Sequence, residues 1–240
     1  MFDTEVILVI GVVFLALFTQ SLSGFELALV SMPLLVPLVG IQTAAPLVAI
    51  IALFGEIILL VYYREALNIK VVWRLAAASI IGTPLGVLLL GLAPERLVLG
   101  LLGFIVAGYA LYALLNFKLP RLEHSLWAYL AGFLAGLLGG AYNTSGPPVI
   151  LYGNCRRWSR DSFKSNLQGF FVVNSVVILL SHFVAGNYSA EVWRIVPFAS
   201  GAAVLGIIAG TRLDKRLNPE TFRKVVLLLL LVLGIRLLIP

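Results

Sequence analysis

The sequence predicts an all-α polytopic membrane protein made of two inverted repeats, each with five helical elements. Its 240 residues are 61% hydrophobic and 12% charged, whereas an average soluble domain carries about 25% charged residues. The apolar segments are too long and continuous for barrel strands, which would alternate over about 10 residues. Short sequence matches and polar breaks also recur in the same order in both halves.

The first repeat, residues 1–117, contains five apolar stretches that we predict to be helical. They cover 5–22, 25–39, 43–63, 71–90 and 97–117. The first two are separated by Ser23-Gly24 and together span 35 residues, or about 52 Å as one helix. This length exceeds the ~30 Å hydrocarbon core, so the pair is predicted to form either two spans or one broken, re-entrant hairpin.

The second repeat, residues 125–240, follows a basic cytoplasmic linker at 118–124 and is predicted to have the same organisation. Its apolar stretches cover 125–141, 146–153, 162–185, 192–209 and 221–239. The piece at 146–153 would be about 12 Å long as a helix, which is too short to cross the membrane alone. We therefore favour a re-entrant helix hairpin at the start of each repeat, with its tip near the middle of the membrane.

Three local matches indicate an internal duplication. The tripeptide Val-Trp-Arg at 72–74 recurs at 192–194, a shift of 120 residues (193 − 73). The other matches pair Gly86 with Gly206 at the same shift and Ser23 with Ser145 at a shift of 122. Their constant order and nearly constant offset favour a repeat over chance.

The distribution of lysine and arginine predicts the topology. With the 64–74 loop in the cytoplasm, 14 of the 17 basic residues lie on the inner side, as the positive-inside rule expects. The outer side then holds Arg96, Arg194 and Arg236. Both termini come out external, and the second repeat is inverted relative to the first. The same bias accounts for the net charge of +6, so no nucleic-acid partner is predicted.

Each break is rich in neutral hydrogen-bonding side chains and leads into a helix. The candidate substrate-binding residues are Gln20, Ser21, Ser23 and Gly24 at the first break and Asn143, Thr144, Ser145 and Gly146 at the second. The free N–H groups and the positive dipole end of each following helix would point into the break, which suits an anion. Alternatively, Ser23 and Ser145 are only N-caps, and the glycine after each permits a tight turn.

Three further polar residues lie within apolar stretches. Glu26 either completes a capping box with Ser23 or is a proton-linked acid, since an intramembrane carboxylate is by default a functional hypothesis. Glu56 has no charged residue within seven positions and is predicted to face the interior, as a coupling group or as a structural hydrogen-bonding partner. Asn174 matches the place of Glu56 (174 − 56 = 118), and either lines the same cavity or makes an interhelical hydrogen bond.

Other residues give weaker signals. His124 and His182 are predicted to be interfacial, and Cys155 to be a structural thiol. No clustered Cys/His pattern is present, so neither a metal nor a cofactor is predicted. Arg160 and Lys164 begin an inner-side helix and either attract an anion or serve topology alone. The glycines predicted to allow close helix packing are Gly132, Gly136 and Gly140.

Two segments resemble a known family. The run GLLGGAYNTSGPPVILYG at 136–153 resembles the glycine-rich segment that opens the second half of the sulfite exporter (TauE/SafE-type) permeases, and SLSGFELALVSMPLLVPL at 21–38 looks like its counterpart in the first half. The resemblance implies an inner-membrane carrier of sulfite, organosulfonates or related anions. The residues that it implicates are Ser23, Gly24, Ser145, Gly146, Pro147 and Pro148. The chain departs from the family in having Glu26 and Leu27 where further glycines are usual.

We therefore expect a secondary transporter, not an enzyme, that exports a small anion such as sulfite or a short organosulfonate across the inner membrane. Its site would lie between the two broken helices at mid-membrane, with access alternating by rocking of the repeats. An uptake carrier, a channel for another small sulfur or carboxylate anion, and a non-transporting subunit of a membrane complex remain alternatives, and a homodimer is left open. An intramembrane enzyme is disfavoured, because Ser181 and His182 are adjacent and lie on different helix faces.

Overall fold

The computed structural model describes residues 4–23, 26–115, 119–213 and 219–238. Within these ranges the chain forms ten α-helices and one 3₁₀ turn at Arg64–Ala66, without strands, so the predicted all-α class is confirmed. The helices are α1 Thr4–Ser23, α2 Leu27–Val39, α3 Ile41–Tyr63, α4 Ile69–Leu92, α5 Glu95–Leu115, α6 Leu126–Tyr142, α7 Gly146–Cys155, α8 Arg160–Val184, α9 Ala190–Leu213 and α10 Pro219–Leu238.

The ten helices correspond one to one, and in order, to the ten predicted stretches. Six segments of the described residues are long and apolar enough to cross a membrane, namely those of α1, α3, α4, α5, α8 and α9. The helices α2 and α6 are apolar but shorter, and α7 has only 10 residues. The protein is therefore a multi-pass membrane protein in which broken helices accompany full-length spans.

Residues with positive φ end several of these helices. Gly40 follows α2 with φ 72°, and its N–H donates to the carbonyl of Val36 at 3.0 Å. Gly186 follows α8 with φ 71°. Because glycine has no Cβ, it adopts this left-handed conformation without a steric cost, and the chain can reverse within a few residues at both places.

The described residues divide into two compact units, each of which combines segments from both halves of the sequence. The first unit lies within 1–51, 93–117 and 189–240 and contains α1, α2, the start of α3, α5, α9 and α10. The second lies within 52–92 and 118–188 and contains the rest of α3, the 3₁₀ turn, α4, α6, α7 and α8. The predicted repeats at 1–117 and 125–240 thus contribute helices to both units, and their inverted relation stays a prediction.

In the second unit, α4 and α6 pack at backbone contact. A Cβ added at Gly132, Gly136 or Gly140 would stand 2.1, 2.5 or 2.1 Å from the carbonyl oxygens of Leu75, Ser79 and Thr83, respectively. In return, a Cβ at Gly86 would stand 2.1 Å from the Leu137 carbonyl oxygen. Such distances leave no room for a side chain, so the predicted role of these α6 glycines in close packing is confirmed.

In the first unit, α9 packs against α1 in the same way. A Cβ at Gly206 would stand 2.6 Å from the Phe14 carbonyl oxygen, and a Cβ at Gly210 would stand 2.8 Å from that of Phe18. Gly206 is the residue that the sequence matches with Gly86, which makes the equivalent contact in the other unit. If the halves are duplicated, α4 corresponds to α9 and α6 corresponds to α1. The two closely packed pairs, α4–α6 and α9–α1, are then equivalent, so this packing supports the duplication.

Candidate functional site

Three buried residues, 143–145, separate the end of α6 from the start of α7. Asn143 has φ 53° and ψ 15°, a left-handed conformation that asparagine adopts more readily than most residues. Its N–H donates to the carbonyl of Gly139 at 2.7 Å. The Thr144 hydroxyl donates to the carbonyl of Tyr142 at 3.1 Å. These bonds end α6 and hold the break in one conformation.

Ser145 precedes α7 but does not cap it through its side chain. Its backbone is helical, with φ −86° and ψ −14°, and its hydroxyl makes no capping bond, whereas capping residues are typically extended. The interpretation of Ser145 as a side-chain N-cap is therefore wrong. Because Pro147 and Pro148 have no N–H, the first turn of α7 lacks two of the backbone donors expected at a helix start.

Asn174 of α8 lies at this break. Its side chain is 1% exposed, and its Oδ1 accepts a hydrogen bond of 3.0 Å from the Thr83 hydroxyl of α4. Its Nδ2 has no hydrogen-bond partner among the residues that the structure describes. A Cβ added at Gly139 would stand 2.7 Å from Asn174 Nδ2 and 3.2 Å from Ser145 Cβ. The missing side chain of Gly139 thus leaves a space at which the Asn174 amide and Ser145 meet.

The first break lies between α1, which ends at Ser23, and α2, which begins at Leu27. The predicted site residue Gly24 lies outside the described residues, and only the backbone of Ser23 is described. Gln20, in the last turn of α1, is 1% exposed. Neither Oε1 nor Nε2 of Gln20 has a hydrogen-bond partner in the described part of the chain. Gln20 is therefore a buried amide whose donors and acceptor are available to a ligand.

Ser21, the neighbouring candidate, takes part in the packing of α1 against α9. Its hydroxyl donates to the carbonyl of Leu17 at 2.7 Å, one turn earlier in the same helix. A Cβ added at Gly210 would stand 2.6 Å from Ser21 Cβ. The serine is thus small enough to allow the close approach of the two helices, and its hydroxyl bonds to its own helix.

Both candidate coupling acids are buried. The capping box predicted for Glu26 is wrong, because α2 begins only after it: Glu26 is the extended residue before the helix, with φ −64° and ψ 139°, and its side chain makes no capping bond. Ser23 is the last residue of α1, so it cannot cap α2. Glu56, in the middle of α3, is buried as expected.

Comparison with known proteins identifies the family. Residues 9–237 match the family described as "Sulfite exporter TauE/SafE". The chain belongs to the TauE/SafE family. A TauE/SafE relative from Cupriavidus necator, named probable sulfite/organosulfonate exporter TauE, is 26% identical over 231 residues, which cover 92% of this chain and 89% of the relative. No solved structure shows a significant match.

The match to the TauE/SafE family confirms the predicted family, and its range includes the segments at 21–38 and 136–153. It places the chain among membrane transporters, which agrees with the six helices able to span a membrane. In this TauE/SafE protein, residues 130–155 contain no charged side chain. The α6–α7 break is therefore a place where neutral donors meet the positive end of a helix, an arrangement that suits an anion.

Two residues of this candidate site in the TauE/SafE protein were not predicted from the sequence. Thr83 holds the Asn174 amide, and Gly139 makes the space for it. A threonine within an apolar helix commonly bonds to its own backbone, so Thr83 gave no signal of its own. Gly139 does not fit the four-residue spacing of Gly132, Gly136 and Gly140. This irregularity was the sequence signal that could have indicated a separate role for Gly139.

The basic residues after α7 fasten the linker that joins the two halves of the TauE/SafE chain. Arg156 Nη1 donates to the carbonyls of Leu122 and Glu123 at 2.9 and 3.0 Å. Arg157 Nη2 donates to the carbonyl of Leu119 at 3.0 Å. These arginines therefore fix the linker at the end of α7.

His182, which is predicted to be interfacial, lies in the last turn of α8. It is fully buried near the end of α8, where its Nδ1 lies 2.9 Å from Nδ2 of Asn187 and its ring packs against that of Tyr188. His124, in the linker before α6, is exposed. The end of α8 thus folds back over the histidine because Gly186 reverses the chain.

Proposed function

We propose that this TauE/SafE-family protein is a secondary transporter that exports sulfite or a short organosulfonate, and that the α6–α7 break binds the anion. The name of the Cupriavidus necator relative supports the substrate class. The observation that carries the proposal is the Nδ2 group of Asn174, which is buried without a partner among the described residues and adjoins Ser145 at the start of α7.

The energetics of Asn174 favour a ligand at this position. A buried amide without a hydrogen-bond partner costs about 1–3 kcal/mol. An anionic oxygen would accept from Nδ2 and lie at the positive end of the α7 dipole. The Thr83 hydroxyl already fixes the amide by donating to its Oδ1, which leaves the NH₂ group as the side available to the anion.

The neutral donors of this break favour a singly charged anion. Residues 130–155 supply no counter-charge, and the cost of burying an ion rises steeply with its charge. Hydrogen sulfite and a sulfonate each carry one negative charge, whereas sulfite and sulfate carry two. We therefore propose that hydrogen sulfite is the transported form, and that doubly charged oxyanions are excluded.

At the first break, Gln20 is proposed to contribute to anion binding through its buried amide. The carboxyls of Glu26 and Glu56 are proposed to carry a coupling proton. Export could also be driven by the membrane potential, because an anion leaving a negative-inside cell gains about 2.3 kcal/mol per charge at 100 mV. We also propose that the protein lies in the inner membrane with both termini on the outer side.

Flux measurements in proteoliposomes test this function. We expect flux to rise more steeply from pH 8 to pH 6 for radiolabelled sulfite than for methanesulfonate, because a larger share of the sulfite becomes singly protonated whereas methanesulfonate keeps its single charge. Protein-free liposomes and sulfate are the controls. Transport of carboxylates alone would favour the alternative of a carrier for another anion. The absence of flux for any anion, with folded protein, would contradict the transporter itself.

A further inference from the structure

Lys164, on the second turn of α8, is buried. Its side chain is 8% exposed, although lysines that serve topology alone keep their charge in water at the membrane surface. Its Nζ donates to the hydroxyl of Tyr63 at 3.3 Å and lies 4.8 Å from the centre of the same ring. The ammonium is therefore held in one place by a hydrogen bond and a cation–π contact.

The backbone around this lysine is fixed. The Ser165 hydroxyl donates to the Tyr63 carbonyl, and Asn166 Oδ1 accepts from the N–H of Asn68 at 2.8 Å. These bonds fasten the start of α8 to the end of α3 and to the residue before α4. The positions of the Lys164 ammonium and the Tyr63 hydroxyl are consequently preorganised, which lowers the entropic cost of binding a ligand there.

Gln168 lies one turn further along α8, on the same face as Lys164. It is 1% exposed, and its Oε1 has no hydrogen-bond partner among the described residues. A buried acceptor without a donor is costly, and a ligand that carries a proton would satisfy it. Hydrogen sulfite offers both features, since its negative oxygens suit the ammonium and its acidic proton suits the amide oxygen.

We infer that Tyr63, Lys164 and Gln168 form a second anion-binding site, which captures hydrogen sulfite before it reaches the α6–α7 break. Gln168 and Asn174 are six residues apart on α8, or about 9 Å along the helix axis, which places the second site between the start of α8 and the level of the α6–α7 break. The inference rests on the proposed function, because its ligand is the proposed substrate.

Transport kinetics of Lys164→Gln test this site. Because a charge-assisted hydrogen bond contributes about 1.5–3 kcal/mol, we expect KM for sulfite to rise about tenfold or more, with the maximal rate unchanged within about twofold. Lys164→Arg, which keeps the charge, should restore a KM close to that of the unmodified protein. Lys70→Gln is the matched control, since Lys70 is exposed at the start of α4. An unchanged KM in Lys164→Gln would overturn the site.

A second variant keeps the test decisive if Lys164→Gln does not fold. Gln168→Leu removes the acceptor with little change in volume. It should raise KM for sulfite but not for methanesulfonate, which has no proton to donate. Equal effects on both anions would contradict the role of Gln168, because they would indicate a change in structure instead of a lost hydrogen bond.

Equilibrium binding separates failure of this site from failure of the proposed function. The readout is the sulfite-induced rise in melting temperature of the purified protein, since a ligand that binds only the folded state raises it. We expect Asn174→Leu to lose flux but to keep part of this rise, and Lys164→Gln to lose a separate part. If Asn174→Leu alone abolishes the whole rise and Lys164→Gln none of it, the second site is wrong while the transporter stands.

Discussion

The side-chain amide of Asn174 adjoins Gly139, so that Nδ2 lies 2.7 Å from the point that a Cβ at residue 139 would occupy. Asn174 belongs to α8 and Gly139 to the last turns of α6, and Ser145 Cβ lies 3.2 Å from the same point. A single missing side chain thus allows an amide, a serine and the start of α7 to come together. The first prediction follows from this contact.

Gly139→Ala should reduce sulfite flux at least about tenfold, because the new methyl group would push the Asn174 amide out of position and small displacements at a binding site are costly. Helix propensity favours alanine by about 1 kcal/mol, so a general loss of helix stability would not explain the result. Gly108→Ala is the matched control, since a Cβ at Gly108 meets nothing within 4 Å. Undiminished flux in Gly139→Ala would show that the Asn174 position does not matter for transport.

Ser145→Val should abolish transport while leaving expression and the melting temperature nearly unchanged. The hydroxyl makes no capping bond to α7, so the helix does not depend on it for capping. Thr211→Val is the control, because the Thr211 hydroxyl donates to the Ile207 carbonyl of its own helix at 2.7 Å. Flux assays of both variants in matched proteoliposomes decide this, and a similar loss in the two would indicate a general effect of removing membrane hydroxyls.

Substitutions of Asn143 should separate its side chain from its backbone. Asn143→Leu is expected to abolish transport, but a left-handed conformation costs a residue such as leucine about 1–2 kcal/mol, so its melting temperature should fall as well. Asn143→Gly tolerates φ 53° and removes only the amide. If the amide binds substrate, Asn143→Gly loses flux at an unchanged melting temperature. Full activity of the glycine variant would limit Asn143 to a role in shaping the break.

Glu26→Gln should remove the pH dependence of methanesulfonate flux if this carboxyl carries the coupling proton. Methanesulfonate keeps its single charge across the range, so any pH dependence of its transport comes from the protein. The Glu26 side chain makes no capping bond to α2. A changed pH profile in Glu26→Gln would therefore not be explained by the loss of a side-chain helix cap. A variant whose pH profile matches that of the unmodified protein would shift the coupling role to Glu56 or to the membrane potential.

Several local features could be read from the sequence because their causes are local. Continuous apolar runs set the ten helices and their order, and the close-packing role of Gly132, Gly136 and Gly140 followed from their spacing. The capping box at Glu26 failed for a local reason too. Its pattern assumed that α2 begins at Ser23, whereas Leu27 is the first helical residue, and helix ends depend on weak preferences of a few residues.

What the sequence determined by itself was the class of molecule, its helices and the two polar breaks, because burial in a membrane requires long apolar helices and leaves few exceptions. Tertiary structure decided which residues share a site. Thr83 and Asn174 are 91 positions apart, and Tyr63 and Lys164 are 101 apart, so no local pattern could pair them. Packing of α4 and α8 joins the first pair, and the bonds between α8 and the end of α3 join the second, since side-chain contacts depend on the packing of whole helices.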